Sequence, residues 1–384
     1  MHLFPKIRLL SIAAAVFLAA IIPAPPASAA GSAVGIVLAD ASSGKILYEQ
    51  SSDLRLPCGD LCKLMTVLIA AEECENSSIS PDSMISVSER PENIRGAQIW
   101  LDAGDEIPFS ELMAAVIIGN ANDAAAVIAG CISGTPGQFT ERMNLRAASL
   151  GMEDTHYTDP CGNISDEAYT TAADTAKLLC ELSKHPGLSA MFTERLRYVK
   201  NGTVQLVNTN TPALHTEGAL GFKSGTAGSG NGLRHFAAEG AVRGKDCYVA
   251  AVIGSPDEDY AKQRASELIE YGFSAFETLT PALPDDLPRE IAVKGGEKGT
   301  VRIAAENIRS MTIPRGTASR ITSRTACPEY VYAPQAKGGK IGEILYYYDG
   351  GYVFSADVCA RQTVKKRDIG HVMWDMLKDL LKFD

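Results

Sequence analysis

Lys63 to Glu73 is a helical run with apolar side chains at 64, 65, 67, 68 and 69. A helix apolar nearly all the way round cannot lie on a surface; it has to be enclosed by other elements as a central core helix. The sequence around it supplies the enclosure. Val34 to Ala39 is a strand-like run without a polar side chain, Ala41 to Gly44 has turn chemistry, and Lys45 to Tyr48 returns as a second strand. Helices are predicted at Ser110–Ile118 with Ser110 as N-cap, Asn122–Cys131, Gln138–Leu150 ended by Gly151, and Thr170–His185 closed by Pro186. Leu233–Glu239 and Asp246–Ile253 alternate like strands joined across Arg243-Gly244-Lys245, and Ala261–Phe276 reads as a helix. The order β-β, many helices, β-β, helix predicts an antiparallel sheet carrying a helical cluster.

Texture changes after Leu279–Pro288, which reads as a linker because it holds three prolines and two aspartates. Glu290–Tyr352 then has short β-like runs between Gly-Gly, Pro-Arg-Gly and Lys-Gly-Gly turns, the pattern of a small all-β domain. Asp368–Phe383 is an amphipathic helix. The predicted divisions are 1–29, 33–278, 289–360 and 367–384. The first is an address: His2, Lys6 and Arg8 precede the apolar run Leu9–Ile22, three prolines break it, and Ala27-Ser28-Ala29 offers a cleavage site. A secretory signal, or failing cleavage an anchor, places the chain outside the cytoplasmic membrane, secreted or at the cell wall.

Charge and motifs narrow the chemistry. With 36 Lys+Arg against 46 Asp+Glu the net charge is −10, which argues against nucleic acid as a partner. There is no GxxxxGK[ST] loop, no strand-linked GxGxxG and no HExxH, so no nucleotide cofactor or zincin metal is expected. The histidines at 156, 185, 215, 235 and 371 show no ligand spacing. Nine cysteines, an odd number, leave at least one thiol unpaired or paired between chains in an exported protein.

Three fragments carry the function: Cys58-Gly59-Asp60-Leu61-Cys62-Lys63, Gly119-Asn120-Ala121-Asn122-Asp123, and Gly221-Phe222-Lys223-Ser224-Gly225-Thr226. In order and spacing they resemble the Ser-x-x-Lys, Ser-x-Asn and Lys-Thr-Gly motifs of the penicillin-binding D-alanyl-D-alanine carboxypeptidases, sporulation-type branch. The resemblance extends through Asp40–Leu47, Leu150-Gly151-Met152, Asp159-Pro160 and Asn208-Thr209-Asn210, and covers residues 33 to 384. It implies an α/β fold, a β-lactamase/transpeptidase-like domain followed by a small β-rich domain, and peptidoglycan stem peptides ending in D-Ala-D-Ala as substrate. Acyl transfer in that family uses a serine nucleophile and a lysine base one turn along. Asn122, Lys223, Ser224 and Gly225 then correspond to substrate-binding positions.

The departures fall on the reacting groups. Asp60 stands at the nucleophile position, Asn120 at the second-motif serine, and Ser224 replaces threonine while keeping the hydroxyl. Beside Lys63, Asp60 is expected to ionise and form an ion pair, which disarms the lysine base. Asn120 cannot relay a proton at neutral pH. A carboxylate attacking an unstrained amide, a water activated by Asp60, and a thiol at Cys58, Cys62 or Cys161 are weaker routes to activity. The residues favour a catalytically impaired relative that binds the stem peptide or a cell-wall partner. The alternatives are an active carboxypeptidase and a non-catalytic partner of an active homologue. The last helix, with Asp368, Asp375, Asp379 and Asp384 against Lys378, Lys382 and His371, is not basic enough for strong attraction to anionic lipid, although contact with a membrane interface stays open.

Overall fold

A computed structural model describes residues 34–91, 94–163, 165–228, 232–368, 370, 373 and 377. The signal-like segment lies outside the described residues, as does most of the predicted last helix. Among the described residues no helix is long and apolar enough to cross a membrane.

The main sheet has five antiparallel strands in the order Ile46–Gln50, Gly35–Asp40, Asp246–Ser255, Arg234–Arg243, Ala219–Ala227. Its centre is covered on both sides, which is why Gly35–Asp40 is apolar without alternation. Ile36, Leu38, Tyr248, Ala250 and Val252 share one core cluster with Leu268 and Ile269. Val37, Ala39, Val249, Ala251 and Ile253 belong to another that includes Leu64, Leu68 and Leu179.

The helices are α1 Cys62–Glu75, α2 Phe109–Ile117, α3 Asn122–Ser133, α4 Pro136–Ser149, α5 Ala172–Leu182, α6 Pro186–Phe192, α7 Thr211–His215 and α8 Glu258–Ala275. As its composition requires, α1 is buried without a break from Cys62 to Ala71. Three expected boundaries are corrected. Pro108, not Ser110, occupies the N-cap position of α2. Pro186 does not close a helix but opens α6, because the first turn of a helix leaves its N–H groups unpaired and tolerates proline. The last helix of the main unit begins at Glu258, where the Asp257 carboxylate accepts from Tyr260 N–H at 2.6 Å.

Leu279 ends a strand, Phe276–Leu279, that pairs with Met311–Pro314. Beyond it lies a six-stranded sheet, ordered Ile321–Ala326, Lys340–Tyr348, Gly351–Ala360, Thr300–Glu306, Glu290–Lys294, Tyr330–Tyr332. Ile291, Val301, Ile344, Tyr346, Phe354 and Val358 fill its own core. Asp246 bridges towards this region: its carboxylate accepts from Thr278 N–H at 2.6 Å and meets Arg315 at 3.4 Å.

Candidate active site

The site forms where the turn before α1 meets the edge strand Ala219–Ala227. Gly59 makes that approach possible. Its φ is +50°, and a Cβ there would lie 2.3 Å from Thr226 O and 2.5 Å from the Ala227 Cα. Gly162, at φ +84°, stacks on the same turn; its Cβ would fall 2.5 Å from Gly59 O. Only residues without a side chain fit these backbone contacts.

Asp60 follows Gly59 in a single 3₁₀ turn, and Lys63 lies in the first turn of α1. Lys63 Nζ donates to Asp60 Oδ1 at 2.5 Å; the lysine side chain is 1% exposed and the aspartate 18%. Burial pushes the Asp60 carboxyl up. Attraction to Lys63 and Lys223, with hydrogen bonds from Lys63 and Asn120, outweighs burial and holds it below its ordinary value. The expected ion pair is therefore present, with the second lysine contributing. A Cβ on Gly225 would lie 3.0 Å from Asp60 Oδ2, so the third fragment closes over the carboxylate.

Lys223 is 6% exposed. Burial lowers its ammonium to about 8, repulsion from Lys63 adds to this, and Asp60 partly offsets it. Its strand is kinked just before it: Gly221 and Phe222 have φ of +97° and +93°. Phe222 is pinned by an edge-on contact with Phe192, centroids 5.6 Å apart, and its carbonyl accepts from Asn210 Nδ2 at 3.1 Å. Ser224, half-buried, follows on the regular strand opposite Ala237.

Asn120 and Asn122 bring the second fragment in between α2 and α3. Asn120 has φ +56°, a region that asparagine tolerates better than most residues. Asn122 opens α3; its Nδ2 donates to Arg95 O at 2.5 Å. The side-chain oxygens of both asparagines are buried without a partner. A buried acceptor normally finds a partner, so these two oxygens mark the site as polar and incompletely satisfied.

Sequence reading gave no role to Asp123, which organises the rim. Its carboxylate accepts from Ile99 N–H and Leu101 N–H, each at 3.1 Å. A buried-carboxylate clamp of this kind has no sequence signal beyond the asparagine-rich fragment it sits in.

The thiols do not form a nucleophile. Burial, reinforced by Asp159, pushes Cys161 up to about 12, and its Sγ donates to Asn122 O at 3.2 Å. Burial likewise raises Cys58 and Cys62, and all three are unpaired. A thiol held protonated is a poor nucleophile.

The family model described as D-alanyl-D-alanine carboxypeptidase matches residues 20–255. The chain belongs to the D-alanyl-D-alanine carboxypeptidase family. A second model, for the C-terminal domain of penicillin-binding protein 5, matches residues 276–366. The chain is 25% identical over 351 residues to the D-alanyl-D-alanine carboxypeptidase DacF of Bacillus subtilis, covering 90% of each. It is 27% identical over 363 residues to DacC of Escherichia coli, covering 90% of this chain and 87% of that one. Among solved structures it resembles penicillin-binding protein 5 of Haemophilus influenzae, with TM-score 0.73 and 24% identity over 86% of this chain and 97% of that one. This is the penicillin-binding protein/β-lactamase-like fold with a C-terminal β-rich domain, in a family of peptidoglycan metabolism.

Proposed function

We propose that this chain is an exported, catalytically silent member of the family that binds the D-alanyl-D-alanine end of peptidoglycan stem peptides. The observation that carries the reading is the closed contact between Asp60 and Lys63, 2.5 Å long and almost wholly buried. Asp60 takes the place of the family's nucleophilic serine and Asn120 that of the second serine. Neither offers a hydroxyl for acyl transfer, and the lysine that would act as base is engaged as a cation. A base must first be free to accept a proton.

What the cleft retains is recognition. Lys223, with Ser224 beside it, offers a charge-assisted partner for a terminal carboxylate. The partnerless Asn122 oxygen is an acceptor for a peptide N–H. Ala219–Ala227 is the edge strand of its sheet, and an extended peptide would pair with those of its backbone groups that Asn210 and the Gly59 turn do not cover. Export is supported by the basic, apolar and A-x-A pattern of the first 29 residues.

The test uses the purified mature protein. Fluorescent penicillin is expected to leave no band after denaturation, and a pentapeptide ending in D-Ala-D-Ala to release no D-alanine. Calorimetry is expected to detect binding of the same pentapeptide, lost in Lys223→Ala. A denaturation-resistant label would restore the active-enzyme reading. Absence of any peptide binding would favour a partner role without a ligand in the cleft.

A further inference from the structure

Far from the cleft, the last turn of α1 faces the end of α5. Glu72 and Glu75 lie three apart on α1, Glu181 is in the last turn of α5, and His185 stands at the N-cap position of α6. One donor atom each from Glu72, Glu181 and His185 lies within 4.8 Å of the other two. His185 Nδ1 is 2.7 Å from Glu75 Oε1. The histidine side chain is 9% exposed, and its Nε2 is buried without a hydrogen-bond partner. A buried ring nitrogen normally finds a partner, and here the second nitrogen is already fixed by a carboxylate. That is how metal-binding histidines are commonly held: the outer carboxylate sets the tautomer and leaves the other nitrogen's lone pair on offer.

We propose that Glu72, Glu181 and His185 bind a divalent transition-metal ion of the zinc class, with Glu75 positioning the imidazole. The mixed nitrogen and carboxylate donors favour zinc, cobalt or nickel over magnesium or calcium, which take oxygen alone. Ligand bonds of about 2.0–2.2 Å require the three donors to draw closer than they stand in the metal-free arrangement. Arg146 is the competing cation. It donates to Glu72 Oε1 from Nε at 2.9 Å and from Nη2 at 2.6 Å, and to Glu181 Oε1 at 2.8 Å, while Lys184 donates to Glu181 Oε2 at 2.5 Å. The two Arg146 donors fill Glu72 Oε1, so an ion would take Glu72 Oε2 and the remaining lone pairs of Glu181. The bound metal would tie α1 to the α5–α6 corner at the end opposite Lys63.

The experiment titrates cobalt(II) and zinc(II) into chelator-stripped full chain, followed by calorimetry and visible absorption. One equivalent is expected, with weak d–d bands and no sulfur-to-cobalt charge-transfer band, since nine thiols are the alternative ligands. His185→Gln is expected to weaken affinity at least 100-fold, and Glu75→Gln about 10–100-fold. Glu75 is more than half exposed, so its variant keeps the fold and the measurement stands even if His185→Gln does not. Failure to saturate below millimolar metal, a thiolate charge-transfer band, or binding that either variant leaves unaltered would overturn the site and leave Arg146 as its resident cation.

Discussion

Lys63 is an ammonium placed among the apolar side chains of a core helix, and Asp60 is its counter-charge. Removing one partner of a buried pair leaves an uncompensated charge, which costs about 3–5 kcal/mol. Asp60→Asn is therefore expected to lower the unfolding free energy by about 3 kcal/mol, the low end because Asp60 keeps some exposure. Lys63→Met added to it should recover part of that loss in urea melts; strictly additive effects would show that the two do not interact. The pH dependence has a definite sign. The folded carboxyl lies below its ordinary 3.8, so the stability it confers is complete above that value and disappears as pH falls through the folded one. The gap between wild type and Asp60→Asn should hold at pH 6 and close in acid. For ligand binding the relevant group is Lys223, at about 8. Affinity for a peptide carboxylate is expected to fall by up to tenfold per unit above that pH, whereas an amidated peptide should show no such fall. The ion pair was legible because residues three apart at a helix start face one another. The orphaned oxygens of Asn120 and Asn122 were not, since they depend on a positive φ and on loop 94–97 arriving from elsewhere.

At the scale of elements, the site is fixed by a glycine-mediated contact between a turn and a strand. Gly59→Ala combines a left-handed φ with overlap on the Thr226 carbonyl. Its melting temperature should drop further than the loss of about 1 kcal/mol from backbone strain alone would cause, and peptide binding should be lost with it. An unchanged melt would show that the turn can move off the strand. Helix positions were readable from periodicity, and α1 most of all. Helix ends were less so: Pro108 and Pro186 each sit where proline can begin a helix as readily as end one. The strand pairing of Phe276–Leu279 with Met311–Pro314 was hidden because Phe276 reads as the end of a helix and Leu279 as the start of a linker, while the partner lies far along the chain in the predicted β-domain.

For the molecule as a whole, the arrangement of sheet, helical cluster and β-rich tail follows from hydrophobic pattern and turn chemistry, while the thiol inventory does not. All nine cysteines are free, and Cys131 is the exposed one. Ellman's reagent is expected to titrate a single thiol rapidly in the native protein and nine in denaturant, with the fast phase abolished in Cys131→Ser. A native count of zero would instead reveal oxidation or pairing between chains. Sequence spacing could not settle this, because pairing depends on distances that only the folded chain defines.

The Asp60–Lys63 contact has a pharmacological corollary. β-Lactam antibiotics disable their targets by acylating a hydroxyl, and on the reading proposed here this protein presents none at the nucleophile position, where Asp60 stands. On that reading, drug treatment that acylates a serine in its relatives would leave the proposed binding of D-Ala-D-Ala ends by this chain intact.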